Sequence, residues 1–135
     1  PGITAALAAA SAIARPLTKR GVARSVAFFT SSTAPDQPEQ ASVPDCDTLV
    51  QYMGGREAAL TAKRLLAQGR KPGTPVVVVE NASLPGQRLW HTTLAALLHG
   101  LPDADGPVLV MVGEALAARQ SATNFNVERL LAAEG

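Results

Sequence analysis

Helical spacings and apolar runs alternate along this chain. The segment from about Thr4 to Ile13 is rich in Ala, a strong helix former whose short side chain lets a helix lie close against other backbone. Thr4 follows Pro-Gly-Ile and suits a helix cap. "SVAFFT", Ser25 to Thr30, alternates and reads as a strand. "TLVQYM", Thr48 to Met53, reads as the next strand. In the helix after it, Ala58, Ala59, Ala62, Leu65 and Leu66 fall on one face, and Gly69 suits its C-cap. Val76 to Val79 is a continuous β-branched run, the pattern of a central strand buried on both faces and usually parallel to its neighbours. "QRLWHTTL" predicts a strand entering a short helix, Leu94 to Leu98, and "VLVMVG" predicts a last buried strand.

Between these elements lie turns and connections. "RPLTKRGVAR" is a loop with four basic residues, and "SSTAPDQPEQASVPDCD" is polar, carries three prolines and shows no periodicity. The segments "EALAARQ" and "NVERLLAAEG" have helical character with a polar face. No internal repeat is visible. Strand–helix–strand alternation with Val- and Leu-rich strands predicts an α/β fold: a mixed, largely parallel sheet flanked by helices. The expected domain covers residues 1–119, with residues 120–135 as a tail.

Composition narrows the classes. A chain of 135 residues, 47% apolar and 17% charged, has material for one core. Its net charge of +1 argues for neither nucleic acid nor an anionic membrane as partner. No apolar run approaches the roughly 20 residues of a membrane span. The single cysteine, Cys46, fits a reducing interior and hence a cytoplasmic setting. The chain opens on Pro1 with no initiator Met, and the expectation is a piece of a longer polypeptide.

The junction "YMGGREA" carries the most chemistry. In open α/β sheets ligands sit beyond the carboxyl ends of the strands. Gly54 and Gly55 remove side chains at such an end, so a ligand can approach the backbone. The alternative is a tight turn with Met53 packed in the core. The Lys-Ser/Thr ending of a phosphate-binding loop is absent. His91 and His99 have no carboxylate or Cys at ligand spacing and read as surface residues, with Trp90 packing a helix–sheet edge. No metal site and no catalytic acid or base is predicted.

Four blocks, "PGITAALAAASAIARPLTKRGVARSVAFFT", "TLVQYMGGREAALTAKRLLAQG", "TPVVVVENASLPGQR" and "GPVLVMVGEALAAR", resemble in their order the carboxyl-terminal domain of the tetrapyrrole methylase family. The likeness is strongest to its uroporphyrinogen-III C-methyltransferase branch, which includes the methylase part of fused sirohaem synthases. The family binds S-adenosylmethionine between two α/β domains and methylates a tetrapyrrole carbon. The resemblance implies cofactor contacts at Thr4 and Ala5, at Met53 and at Ala82, with S-adenosylhomocysteine as the product form. Ala82 and Ser83 stand where the family has Gly-Thr, and a φ > 0 conformation at Ala82 would be strained. Lys19 replaces the His of the family's Pro-Leu-Thr-His-Arg block. Lys19 and Arg20 are candidate contacts to the carboxylates of uroporphyrinogen III, or else a solvated basic loop.

The family's Gly-Asp-Pro turn belongs to its first domain and has no counterpart here. The resemblance therefore implies half of a methyltransferase cleft, whose partners are the amino-terminal methylase domain, the tetrapyrrole and a second copy in a homodimer. The alternatives are a catalytically silent structural and dimerisation module, or half of a related precorrin methyltransferase of the cobalamin branch.

Overall fold

The computed structural model describes residues 4–30, 43–52, 54–102 and 107–117. Its strands are β1 Val26–Thr30, β2 Thr48–Tyr52, β3 Pro75–Glu80, β4 Arg88–Thr93 and β5 Val108–Val112. They form one five-stranded sheet in the order β1-β2-β5-β3-β4. The α-helices among the described residues are α1 Ala5–Ala12, α2 Ala58–Ala67 and α3 Leu94–Leu97, and a 3₁₀ turn covers Glu114–Leu116.

Alternation along the strands builds a core on each face of the sheet. Leu49, Val76, Val78, Val110 and Val112 face α2 and α3, packing with Ala58, Ala62, Leu65, Leu94 and Leu97. Val50, Val77, Val79, Leu109 and Met111 face the other way and pack with Ala6 and Ala9 of α1. The result is three layers: α1, the sheet, then α2 with α3. The α/β architecture and mixed sheet follow the expectation from sequence.

Strand direction departs from it. Only β1 and β2 run parallel, whereas β2–β5, β5–β3 and β3–β4 are antiparallel. The continuous apolar runs of β3 and β5 arise because helices cover both faces, and that burial is indifferent to the direction of neighbouring strands. Residues 81–87 return β3 directly into β4, a link shorter than the dozen or so residues a parallel crossover needs.

Local chemistry sets the helix ends. Thr4 is the N-cap of α1, in extended conformation, with its hydroxyl accepting from the Ala6 N–H. At the other end the Arg15 N–H donates to the Ala10 carbonyl and the Ala14 N–H to Ser11, with Ala14 left-handed at φ +52°. Helix α2 closes the same way: Arg70 N–H to Leu65 O, Gly69 N–H to Leu66 O, and Gly69 at φ +97°. Thr93 ends β4 and caps α3 by accepting from the Ala96 N–H at 3.2 Å.

Where β1 and β2 begin, a polar cluster ties three segments together. Asp47 Oδ2 accepts from the Arg24 N–H at 3.0 Å and from the Ser25 hydroxyl at 3.1 Å. Arg70, just past α2, donates to the carbonyls of Asp47 and Cys46. No helix of the described residues is long and apolar enough to cross a membrane.

Candidate functional site

A cavity of about 660 Å³ opens at the other end of the sheet, where β2 and β3 finish and β5 starts. Its walls come from four places. Helix α1 gives Ala5, Leu7, Ala8 and Ser11, and β2 gives Tyr52. Val79 and the following Ala82, Ser83 and Leu84 form the third wall, and Pro107, Val108 and Leu109 the fourth. Among the described residues no lining side chain is charged. The position, beyond the carboxyl ends of β2 and β3, is where ligands bind in open α/β sheets.

The Thr4 hydroxyl is hydrogen bonded to the Tyr52 hydroxyl. That bond joins the N-cap of α1 to the last residue of β2, across 48 positions of sequence. The Tyr52 ring lies 6.5 Å from the Phe28 ring on neighbouring β1. Phe28 itself is 47% exposed, so the aromatic pair stands at the margin of the α1 layer.

The loop after β3 is shaped by backbone geometry. Asn81 and Ser83 are left-handed, at φ +53° and +63°, and Ala82 between them is not. The strain considered for Ala at position 82 therefore does not arise; its neighbours carry the unusual conformations. Asn adopts this region readily. The Ser83 N–H is held by Gln87 Oε1 at 2.7 Å, and the Asn81 N–H donates to the Pro107 carbonyl at 3.0 Å. Below the loop, buried Glu80 faces Arg88 across the β3–β4 ladder, with Arg88 Nη1 at 3.5 Å. The Arg88 guanidinium also lies 5.6 Å over the Trp90 ring.

The sequence candidates divide accordingly. Ala5 and Ala82 line the cavity, and Thr4 reaches it through Tyr52. Met53, the proline-rich stretch 31–42 and the tail 120–135 lie outside the described residues. Lys19 and Arg20 are exposed on a small turn closed by a Lys19–Ala23 bridge, and neither lines the cavity. His91 and His99 are exposed, and Trp90 packs against the core beneath α2 and α3. Among the described residues no group of His, Cys, Asp and Glu is placed to hold a metal ion.

Two details correct the reading of the glycine pair. Gly54 is buried with its N–H on the Val108 carbonyl at 3.1 Å, and a Cβ there would meet Val110 Cγ2 at 2.8 Å. The close approach of Val110 accounts for its lack of a side chain. A Cβ on Gly55 would find only ordinary contact, 3.6 Å from Val108. The helix end that borders the cavity is that of α1, not of α2. Tyr52 was the residue the pattern hid. It sits inside the quoted "YMGG", two positions from Val50 and so on the α1 face of the sheet.

The family model of the Tetrapyrrole (Corrin/Porphyrin) Methylases matches residues 1–98. The chain belongs to this family. Among curated proteins it is 38% identical to a siroheme synthase of Neisseria meningitidis serogroup C, over 93% of this chain and 27% of that protein. It is 39% identical to the uroporphyrinogen-III C-methyltransferase of Pseudomonas aeruginosa, over 84% of this chain and 48% of that one. The chain thus spans about a quarter of the first relative and about half of the second. Among solved structures it resembles uroporphyrin-III C-methyltransferase of Thermus thermophilus in complex with S-adenosylhomocysteine. That match has a TM-score of 0.68 at 34% identity and covers 86% of this chain and 52% of the other.

Proposed function

We propose that this chain supplies the cofactor-supporting half of the cleft of an S-adenosylmethionine-dependent uroporphyrinogen-III C-methyltransferase. The observation that carries the reading is the convergence of Ala5, Ala82 and the Thr4–Tyr52 pair on one cavity. Support comes from the Thermus thermophilus relative, whose structure holds S-adenosylhomocysteine.

The residues present fit such a group. The volume of about 660 Å³ lies in the range of roughly 300–1,000 Å³ usual for small-molecule sites. Small Ala5 and Ala8 let a ligand lie flat on α1, Val79 and Leu109 give an apolar wall, and the hydroxyl pair gives polarity at one point. When bound, S-adenosylmethionine supplies an electrophilic methyl on a sulfonium. The task of this chain is to hold that cofactor in one orientation and keep water from it. Methyl transfer asks for alignment more than for a strong acid or base, which agrees with the absence of charge among the described lining residues. Alignment also needs the tetrapyrrole and the opposite wall of the cleft, which in this reading an amino-terminal methylase domain contributes. Met53 is a cofactor contact in this reading, and Lys19 and Arg20 meet substrate carboxylates outside the cavity. The parent acts in the cytoplasm as a homodimer.

Titration calorimetry of the chain with S-adenosylhomocysteine tests the proposal. Saturable binding that weakens in Ala5→Trp, where bulk would fill the α1 wall, is the expected result. No binding up to millimolar ligand by a folded chain would leave the silent structural module as the reading.

A further inference from the structure

We infer that Tyr52 is a ligand-binding residue: the Thr4–Tyr52 pair presents one hydroxyl proton to the uncharged nucleoside portion of the ligand. The inference rests on the cofactor reading above and goes further, naming the hydroxyl pair that donates and the part of the ligand it meets.

Proton bookkeeping leaves the pair one donor. Two hydroxyl groups bring two protons, and their mutual hydrogen bond uses one. The Thr4 oxygen also accepts from the Ala6 N–H at 3.4 Å, a bond that uses no hydroxyl proton. If Thr4 donates to Tyr52, the Tyr52 O–H remains; if Tyr52 donates, the Thr4 O–H remains. Neither hydroxyl has a further partner among the described residues. Among the described residues one O–H donor is therefore left at the rim of a cavity that Tyr52 lines.

The walls decide which part of the ligand it meets. A zwitterionic amino-acid tail loses hydration on entering a cavity and needs charged partners to offset that cost. The described lining offers Ala5, Ala8, Val79, Leu109 and hydroxyl groups, with no charge among the described residues. A purine and its ribose need apolar walls, a donor and an acceptor, which these residues give. The ammonium and carboxylate then lie away from the walls that the described residues form.

Calorimetry on the full chain with two probes tests this: S-adenosylhomocysteine, and 5′-methylthioadenosine, which lacks the amino-acid tail. Tyr52→Phe keeps the ring and removes the hydroxyl. It should weaken both probes alike, by roughly 3–10-fold, the worth of one neutral hydrogen bond. Thr4→Val should do the same, and the double variant should lose little more than either, because the pair shares one donor. Tyr52 is the sole tyrosine and Trp90 the sole tryptophan. A ¹³C-tyrosine label therefore gives one signal, which ligand must shift, while Trp90 emission and the melting temperature report that the variants stay folded. Unchanged affinity in folded Tyr52→Phe would overturn the inference and leave the cofactor reading standing. So would a loss confined to S-adenosylhomocysteine, which would move the donor to the amino-acid tail. Failure of the wild-type chain to bind either probe would overturn both.

Discussion

Gly54 and Val110 stand so close that a Cβ on Gly54 would lie 2.8 Å from Val110 Cγ2 and 3.2 Å from its Cβ. Val110 is fully buried in β5, and β-branching leaves it few rotamers to move into. Gly54→Ala should cost about 1–3 kcal/mol of stability, as overpacking does. In a Val110→Ala background the same change should cost much less. Urea denaturation of the four proteins in the cycle measures it, and strict additivity would show the contact to be irrelevant.

Gly113 is held more rigidly. It lies at φ +151°, and a Cβ would meet the Asp47 carbonyl at 2.8 Å and Thr48 Cα at 3.2 Å, both backbone atoms. Gly113→Ala should therefore cost more than Gly54→Ala, about 3 kcal/mol or above. Chemical denaturation ranks the two, and the reverse order would contradict the packing of β5 across the start of β2.

Ala14 occupies the left-handed position that closes α1, a place where glycine is usual. Its side chain is exposed, so replacing it removes no core contact. Ala14→Gly relieves the Cβ strain, while glycine's freer unfolded chain offsets part of the gain. The net effect should be a stabilisation of about 0.5–1 kcal/mol, read as a rise of a few degrees in melting temperature. A fall would show that Ala14 is not strained in solution.

Asp47 makes stability sensitive to acid. Hydrogen bonds from the Arg24 N–H and the Ser25 hydroxyl hold its carboxyl below the ordinary 3.8. A group whose folded pKa is lowered contributes fully above its unfolded value, and loses that contribution as pH falls through the folded value. Urea midpoints should therefore fall between pH 4 and pH 2 by less in Asp47→Asn than in the wild type. Equal slopes would mean that the cluster does not persist in solution.

Amide exchange should be slowest in the two central strands. Val76–Val79 are fully buried, and β3 and β5 each pair on both edges. Protection approaching the global unfolding free energy is expected there, with faster exchange at β4, a sheet edge with exposed side chains. Fast exchange in both β3 and β5 would overturn the strand order.

What the sequence determined by itself was local. Thr4 as a cap, Gly69 as a helix stop, the Val76–Val79 run and the Leu-Leu face of α2 are each fixed by short-range sterics, propensity and periodicity. Those signals lie within a few residues of one another, and they sufficed for the elements, the α/β class and the ordered blocks that resemble the methylases. The tertiary structure alone decided how the elements meet. Burial on both faces reads the same in parallel and antiparallel strands, so direction was not legible in Val76–Val79. The alanines of α1 are nearly equivalent around the helix, so nothing local chose Ala6 and Ala9 for the core and left Leu7 exposed at the cavity. Gly54 looked like room for a ligand until β5 brought Val110 against it. Thr4 and Tyr52 are ordinary residues in their own segments. They become one donor only because the sheet order sets the end of β2 beside the start of α1, and no periodicity spans the 48 positions between them.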